Sequence, residues 1–127
     1  MPDKHLFEYA VVRVVPRVER EEFLNVGVIL YCPAEKFLKV RFDINGQRLN
    51  SFSKHIDAEE IKNLLSAFES ICTGGDGAGP IGSYNMAERF RWLTASRSTI
   101  VQTSCVHPGL CDSAENMLSS LFEQLVM

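Results

Sequence analysis

The sequence predicts an α+β fold in which a small antiparallel sheet of three to four strands has helices packed on one face. Two observations predict it. About the first forty residues form apolar, β-branched runs joined by short polar segments, whereas most of the remaining chain has helical periodicity. The predicted order is β-β-β-α-α-β-α, and strands followed by helices are typical of α+β folds rather than of parallel βαβ winding.

The first three strands are predicted to be neighbours in an antiparallel meander. They are expected over residues 6–15, 23–31 and 37–42. The first ends near Pro16, which cannot donate to a strand ladder. The charged joint at residues 19–22 and the turn at Pro33 are both too short for a crossover, so the strands they connect should pair antiparallel. Gly27 within the second strand indicates a bulge or a close backbone approach.

The rest of the chain is predicted to contain three helices and a fourth strand. In order, these are a helix from a capping box at Asp57 to Gly74, a helix over 84–95, a strand over 98–104 and a helix opened by a capping box at Asp112. In the first capping box, Asp57 would accept hydrogen bonds from the first turn while Glu60 returns one. Gly74 is the expected helix terminator, because glycine adopts the left-handed conformation without strain.

Composition narrows the class of protein. Hydrophobic content of 46% and charged content of 23% are ordinary for a globular domain, so we expect one domain over residues 1–127. The net charge of −3 and the lack of a basic run argue against nucleic-acid binding. The longest apolar run, residues 26–32, is far shorter than the roughly 20 residues that span a bilayer. We therefore expect a cytoplasmic protein with no membrane partner; the sequence does not predict its oligomeric state.

The four cysteines are expected to be free thiols in a reducing compartment. Cys105, His107 and Cys111 lie within seven residues of one another, but structural zinc sites usually hold their cysteines in closer pairs. A fourth ligand would have to come from Cys32, Cys72 or His55. Small buried apolar residues are the simpler explanation, so we expect neither a metal nor another cofactor.

Six polar residues stand out as candidates for an anion-binding or partner-binding site. They are Arg13, Glu22, Asn25, Arg91, Arg97 and His107. Arginine is suited to bidentate pairing with phosphate or carboxylate groups, so the three arginines could converge on an anion while the other residues orient it or handle protons. The alternative is structural: Arg13 would pair with Glu22 across the hairpin, and Arg91 would extend its charge from a helix face into solvent.

Four strings of the sequence resemble one bacterial family. They are residues 8–30 (EYAVVRVVPRVEREEFLNVGVIL), 79–82 (GPIG), 89–95 (RFRWLTA) and 107–109 (HPG), and the family is named domain of unknown function 3037. The resemblance marks the six candidate residues as motif positions and assigns them no role. It also implies a stand-alone cytosolic protein whose gene often lies beside that of a HipA-like serine/threonine kinase. Its members usually lack cysteines at positions such as 105 and 111, which argues further against zinc there.

Two functions are consistent with these observations. The first is a non-enzymatic interaction or regulatory protein, with a HipA-like kinase as the partner that the resemblance implies. The second is a small-ligand binding protein or enzyme that uses an arginine-rich pocket for a phosphate or carboxylate group. A closed network of paired arginines would favour the first function, and an open concave site with unpaired guanidinium groups would favour the second.

Overall fold

The computed structural model describes residues 4–16, 22–43, 57–97 and 99–127, and within them the chain forms five strands and three α-helices. The strands are β1 (His5–Val14), β2 (Leu24–Cys32), β3 (Phe37–Phe42), β4 (Val101–Thr103) and β5 (His107–Cys111). The helices are α1 (Ala58–Thr73), α2 (Met86–Leu93) and α3 (Ala114–Leu125). All the strand pairs are antiparallel. The predicted fold class and element order are confirmed, with β5 as an additional strand.

The longest strand, β1, lies at the centre of the sheet and pairs along both of its edges. β2 occupies one edge and is flanked by β3, which confirms the predicted meander. β4 and β5 share the other edge, where Thr103 pairs with Val12 and His107 pairs with Tyr9. Between them, the Ser104 N–H donates to the carbonyl of Val11 at 2.8 Å, and the Val11 N–H donates to the Ser104 hydroxyl at 2.9 Å. A side chain therefore continues the ladder where the strand is interrupted.

Helices cover both faces of the sheet, so the expectation of helices on one face is wrong. On one face, β1 and β2 pack against α1 and α2, with a core that includes Val12, Ile61 and Phe90. On the other face, Leu30 and Phe122 belong to a second core formed against α3. The physical reason is visible in β2, which is continuously apolar from residue 26 to residue 30. Such a run, rather than an alternating one, is typical of a strand buried on both faces.

A β-bulge in β2 explains the glycine within that strand. Val12 pairs with Gly27 and Arg13 pairs with Asn25, so Val26 is an extra residue on the β2 side. A Cβ atom at Gly27 would lie 2.7 Å from the carbonyl oxygen of Arg41 and 2.5 Å from the ring of Phe42. Both the predicted bulge and the predicted close approach are confirmed.

The ends of the helices follow from their capping residues. The side chain of Asp57 accepts the Glu59 N–H at 3.0 Å at the start of α1, as predicted. The last helix is capped by Ser113 rather than by Asp112, because the Ser113 hydroxyl accepts the Asn116 N–H at 3.3 Å. The strand expected over 98–104 is shorter, since β4 has three residues. Within the described residues, none of the helices is both long enough and apolar enough to cross a membrane.

Replacing Gly27 by alanine should destabilise the fold. The added methyl group would press on the β3 backbone, which cannot move without breaking strand pairs, and overpacking of this kind costs about 1–3 kcal/mol. Gly77→Ala is the matched control, because a Cβ atom there would meet nothing within 4 Å. Chemical denaturation of the two variants measures the difference. Equal stabilities would contradict the close approach of β2 and β3.

Candidate functional site

The structure separates the arginines that the sequence suggested could converge. Arg13 pairs with Asn25, and cross-strand partners lie on the same face of a sheet. The Asn25 side-chain amide donates to the carbonyl of Leu125 at 3.1 Å, which identifies this as the α3 face. Arg97 instead lines a cavity with residues of α1 and α2 on the opposite face. Arg13 and Arg97 therefore do not contribute to one anion pocket.

Arg13 contacts an aromatic ring at the end of the hairpin, and its pairing with Glu22 stays a prediction. Its guanidinium carbon lies 4.0 Å from the centroid of Phe23, a cation–π geometry that holds the cation at the end of the hairpin. The Arg13 Nε is buried and has no hydrogen-bond partner among the described residues. Phe23 is 47% exposed, so the stacked pair reaches the surface.

The other candidates lie at the surface. His107 is exposed, and its ring lies against Tyr9 with a centroid separation of 5.3 Å. Arg91 is exposed on α2, and Glu22 is exposed just before β2. The cysteines Cys105 and Cys111 that flank His107 differ in burial, since Cys105 is exposed and Cys111 is buried. His55 lies outside the described residues.

An apolar groove lies between α1, α2 and β4, and we call it the α1–α2 groove. Its volume is about 260 Å³, and its lining includes Leu64, Phe68, Ile71, Trp92, Arg97 and Val101. Leu64 and Trp92 are each 39% exposed, which is high for large apolar side chains. Helical spacing explains why α1 presents this face: Leu64, Phe68 and Ile71 follow one another at intervals of four and three residues.

Arg97 carries the positive charge of the α1–α2 groove. Its guanidinium carbon lies 4.0 Å from the centroid of the Trp92 ring, and its terminal nitrogen donates to the Trp92 carbonyl. Partial burial lowers the pKa of this guanidinium. An indole stacked on a fixed cation is a rigid surface that can bind an apolar side chain and a carboxylate side by side.

A second cluster, which the sequence reasoning missed, joins the start of β1 to the end of β2. His5 Nδ1 lies 2.9 Å from an oxygen of Glu35, and the Cys32 thiol donates to the same oxygen at 3.7 Å. The Ala114 N–H at the start of α3 also donates to it, at 3.0 Å. The hydrogen bond with His5 is the largest cause of a lowered pKa at Glu35, and the bond from Ala114 acts in the same direction.

The sequence pattern that could have predicted part of this cluster is a Cys-x-x-Glu spacing in a turn. Pro33–Glu35 forms a 3₁₀ helix with Cys32 at its N-cap position, and residues three apart eclipse one another in that geometry. Cys32 and Glu35 therefore project to the same side. Sequence reasoning identified the turn at Pro33 but not this consequence. The local sequence around the turn could not predict that His5 lies nearby, because its position depends on the pairing of β1 with β2.

The chain belongs to the family described as protein of unknown function (DUF3037), whose model matches residues 9–126. The resemblance proposed from the sequence is thereby confirmed over almost the whole chain. No curated protein and no solved structure matches the chain.

The thiols should differ sharply in reactivity. Burial raises the pKa of Cys72 to about 12 and also raises the pKa of Cys111, so both thiols are held in the unreactive protonated form. Cys105 is the exposed one among the four. Mass spectrometry after brief maleimide treatment of the native protein should find Cys105 modified first, and Cys105→Ser should remove the fast phase. Fast labelling of Cys72 would contradict its burial.

Glu35 should make stability depend on pH in the acid range. Its pKa is lowered in the folded protein, so its stabilising contribution is complete above its ordinary value of 4.5 and is lost as the pH falls further. The difference in melting temperature between wild type and Glu35→Gln should therefore shrink between about pH 6 and about pH 3. Glu123→Gln, at an exposed position of α3, is the control. A difference that stays constant over this range would contradict the role of the carboxylate.

Proposed function

We propose that this member of the family is an interaction protein that binds an apolar segment of a partner protein in the α1–α2 groove. The observation that carries the proposal is the exposure of Trp92 and Leu64 on either side of a concave apolar surface. Large apolar side chains exposed together in a concave surface are typical of protein-binding sites. Tryptophan and arginine are also the side chains most enriched among residues that dominate binding energies at interfaces.

The size of the groove favours a protein segment over a small molecule. Pockets for small ligands usually enclose about 300–1,000 Å³ and contain several convergent polar groups. The α1–α2 groove holds about 260 Å³, and its walls are almost entirely apolar. A groove of this kind can accept one or two side chains from the apolar face of an amphipathic helix.

The charge of Arg97 indicates what else the partner segment carries. The guanidinium lies at the groove on the ring of Trp92, and burial makes its charge costly when it has no counter-ion. An acidic side chain next to the apolar anchor would pair with it. We therefore propose an amphipathic helix with a bulky apolar residue and a neighbouring aspartate or glutamate.

We further propose a HipA-like serine/threonine kinase as the protein that supplies this segment. The support is the family resemblance, which implies genes placed side by side. The alternative of an arginine-rich site for a phosphate or carboxylate ligand needs converging guanidinium groups. Since Arg13 and Arg97 lie on opposite faces of the sheet, we do not propose it.

Binding can be followed with the chain's own fluorophore. Trp92 is the single tryptophan, so its fluorescence emission should shift when the purified HipA-like kinase fills the groove. Because the kinase also fluoresces, isothermal titration calorimetry should measure the same binding independently. Leu64→Glu places a charge in the groove and should weaken binding by about tenfold or more, equivalent to about 1.4 kcal/mol. Leu110→Glu is the matched control, because Leu110 is an exposed leucine outside the groove.

The experiment tests the groove as the binding site and the kinase as the partner independently of each other. Equal binding by the Leu64 and Leu110 variants would show that the kinase binds elsewhere and would refute the groove. No binding by the wild-type protein would refute the kinase as partner. Circular dichroism of each variant checks that the fold is intact, which is expected because both leucines are exposed.

A further inference from the structure

The cluster of His5, Cys32 and Glu35 has the composition of a metal site. We propose that these three side chains bind a divalent transition metal ion of the zinc class. Among the described residues they are the one group of three histidine, cysteine or acidic side chains whose ligand atoms all lie within 4.8 Å of one another. An imidazole, a thiol and a carboxylate are the three ligand types that zinc takes from proteins.

The distances fit a tetrahedral ion. Zinc lies about 2.0–2.3 Å from nitrogen, oxygen and sulfur ligands, which separates neighbouring ligand atoms by about 3.3–3.6 Å. The separations to the Glu35 oxygen are 2.9 Å from His5 Nδ1 and 3.7 Å from Cys32 Sγ. The third pair, His5 Nδ1 and Cys32 Sγ, lies within 4.8 Å. Side-chain movements of up to about 1 Å would therefore bring the three atoms to the spacing that a tetrahedral ion requires.

The backbone holds the ligands in place before any ion binds. Cys32 and Glu35 are set by the 3₁₀ turn at Pro33–Glu35, and Lys36 closes that turn at a φ of 51°, in the left-handed region that non-glycine residues rarely adopt. The Ala114 N–H fixes the carboxylate from the side of α3. A backbone donor to a ligating carboxylate is the kind of outer-shell contact that orients ligands in metal sites.

Binding would exchange protons for the ion. The Cys32 thiol, which donates to Glu35 in the free protein, would lose its proton to solvent and ligate as a thiolate. His5 would ligate through the Nδ1 lone pair and carry its proton on Nε2. One thiolate and one carboxylate then balance the two positive charges of the ion, so the site becomes neutral.

Water completes the coordination in this proposal. The side chains of His5 and Glu35 are 35% and 27% exposed, whereas Cys32 is buried, so the outer side of the cluster is open to solvent. The Cys111 thiol lies beside Cys32 but outside the group of three atoms. Three protein ligands and an open position are the arrangement found in catalytic rather than structural zinc sites.

Cobalt(II) is the probe that tests the set of ligands. Untagged wild-type protein, freed of metal with a chelator and kept reduced, should bind one Co²⁺ ion per chain and show thiolate-to-cobalt absorption in the near ultraviolet. His5→Ala and Cys32→Ala should each weaken Co²⁺ binding by about a hundredfold or more, and the Cys32 variant should lose the absorption band. Zinc should raise the melting temperature of the wild type but not of these variants.

Two controls separate this site from other thiols. Cys105→Ala removes the exposed cysteine and should leave Co²⁺ binding unchanged, and Cys111→Ala should retain the thiolate band. The proposal is overturned if the wild type binds no Co²⁺, or if binding persists in both His5→Ala and Cys32→Ala. Loss of binding in Cys111→Ala with an unchanged circular dichroism spectrum would overturn the three-residue set. Folding of His5→Ala is expected to be intact because the side chain is partly exposed.

Discussion

The fold depends on the hydrogen bonding of β1, which pairs along both edges with three other strands. The other four strands of the described residues pair with β1 or with its neighbour β2: β2 pairs with β3 on one side, and β4 and β5 divide the other edge. An unpaired buried N–H costs about 1–3 kcal/mol of stability, so the β1 N–H that faces the break between β4 and β5 needs another hydrogen-bond acceptor. The Ser104 hydroxyl accepts a hydrogen bond from the Val11 N–H at this break. Among the described residues, Ser104 is the one polar residue that is buried. With that bond, the hydrogen bonding of β1 along this edge is continuous from β4 to β5.

The bulge in β2 determines which side chains meet each helix layer. Because Val26 is an extra residue, Asn25 lies on the same face as Arg13 and reaches the carbonyl of Leu125. The last carbonyls of a helix have no partner within that helix, so this amide caps the end of α3. A polar residue that looked anomalous in an apolar strand thus has a structural role. Arg13 has a comparable explanation in its contact with Phe23, which places its charge at the surface end of the hairpin.

Sequence reasoning succeeded where local chemistry determines the structure. Apolar β-branched runs and turn residues predicted β1 to β3, and an Asp57 cap predicted the start of α1. The predictions failed where the structure depends on pairing between residues that are far apart in the sequence. The sequence analysis assigned no strand to His107, Pro108 and Gly109. They begin β5 because the edge of β1, about a hundred residues earlier in the chain, is free to pair with them. The cluster of His5 and Cys32 was missed for the same reason: only the strand register brings the first residue of β1 near the last residue of β2. The groove required the packing of α2 on α1, which periodicity alone does not specify.

The two proposed sites lie on different parts of the sheet and are tied to different helices. Trp92 and Arg97 belong to the layer of α1 and α2, and the groove they line includes residues of β4. Glu35 is tied to α3 through Ala114, so an ion bound there would join the start of β1, the end of β2 and the start of α3. Binding energy at that cluster would stabilise the half of the molecule that carries the second core, including Phe7 and Leu118. It could reach the groove through the sheet, because β1 and β2 both contribute side chains to the two cores. A metal effect on partner binding would therefore have to travel through these two strands, whereas a metal effect on stability needs no such path.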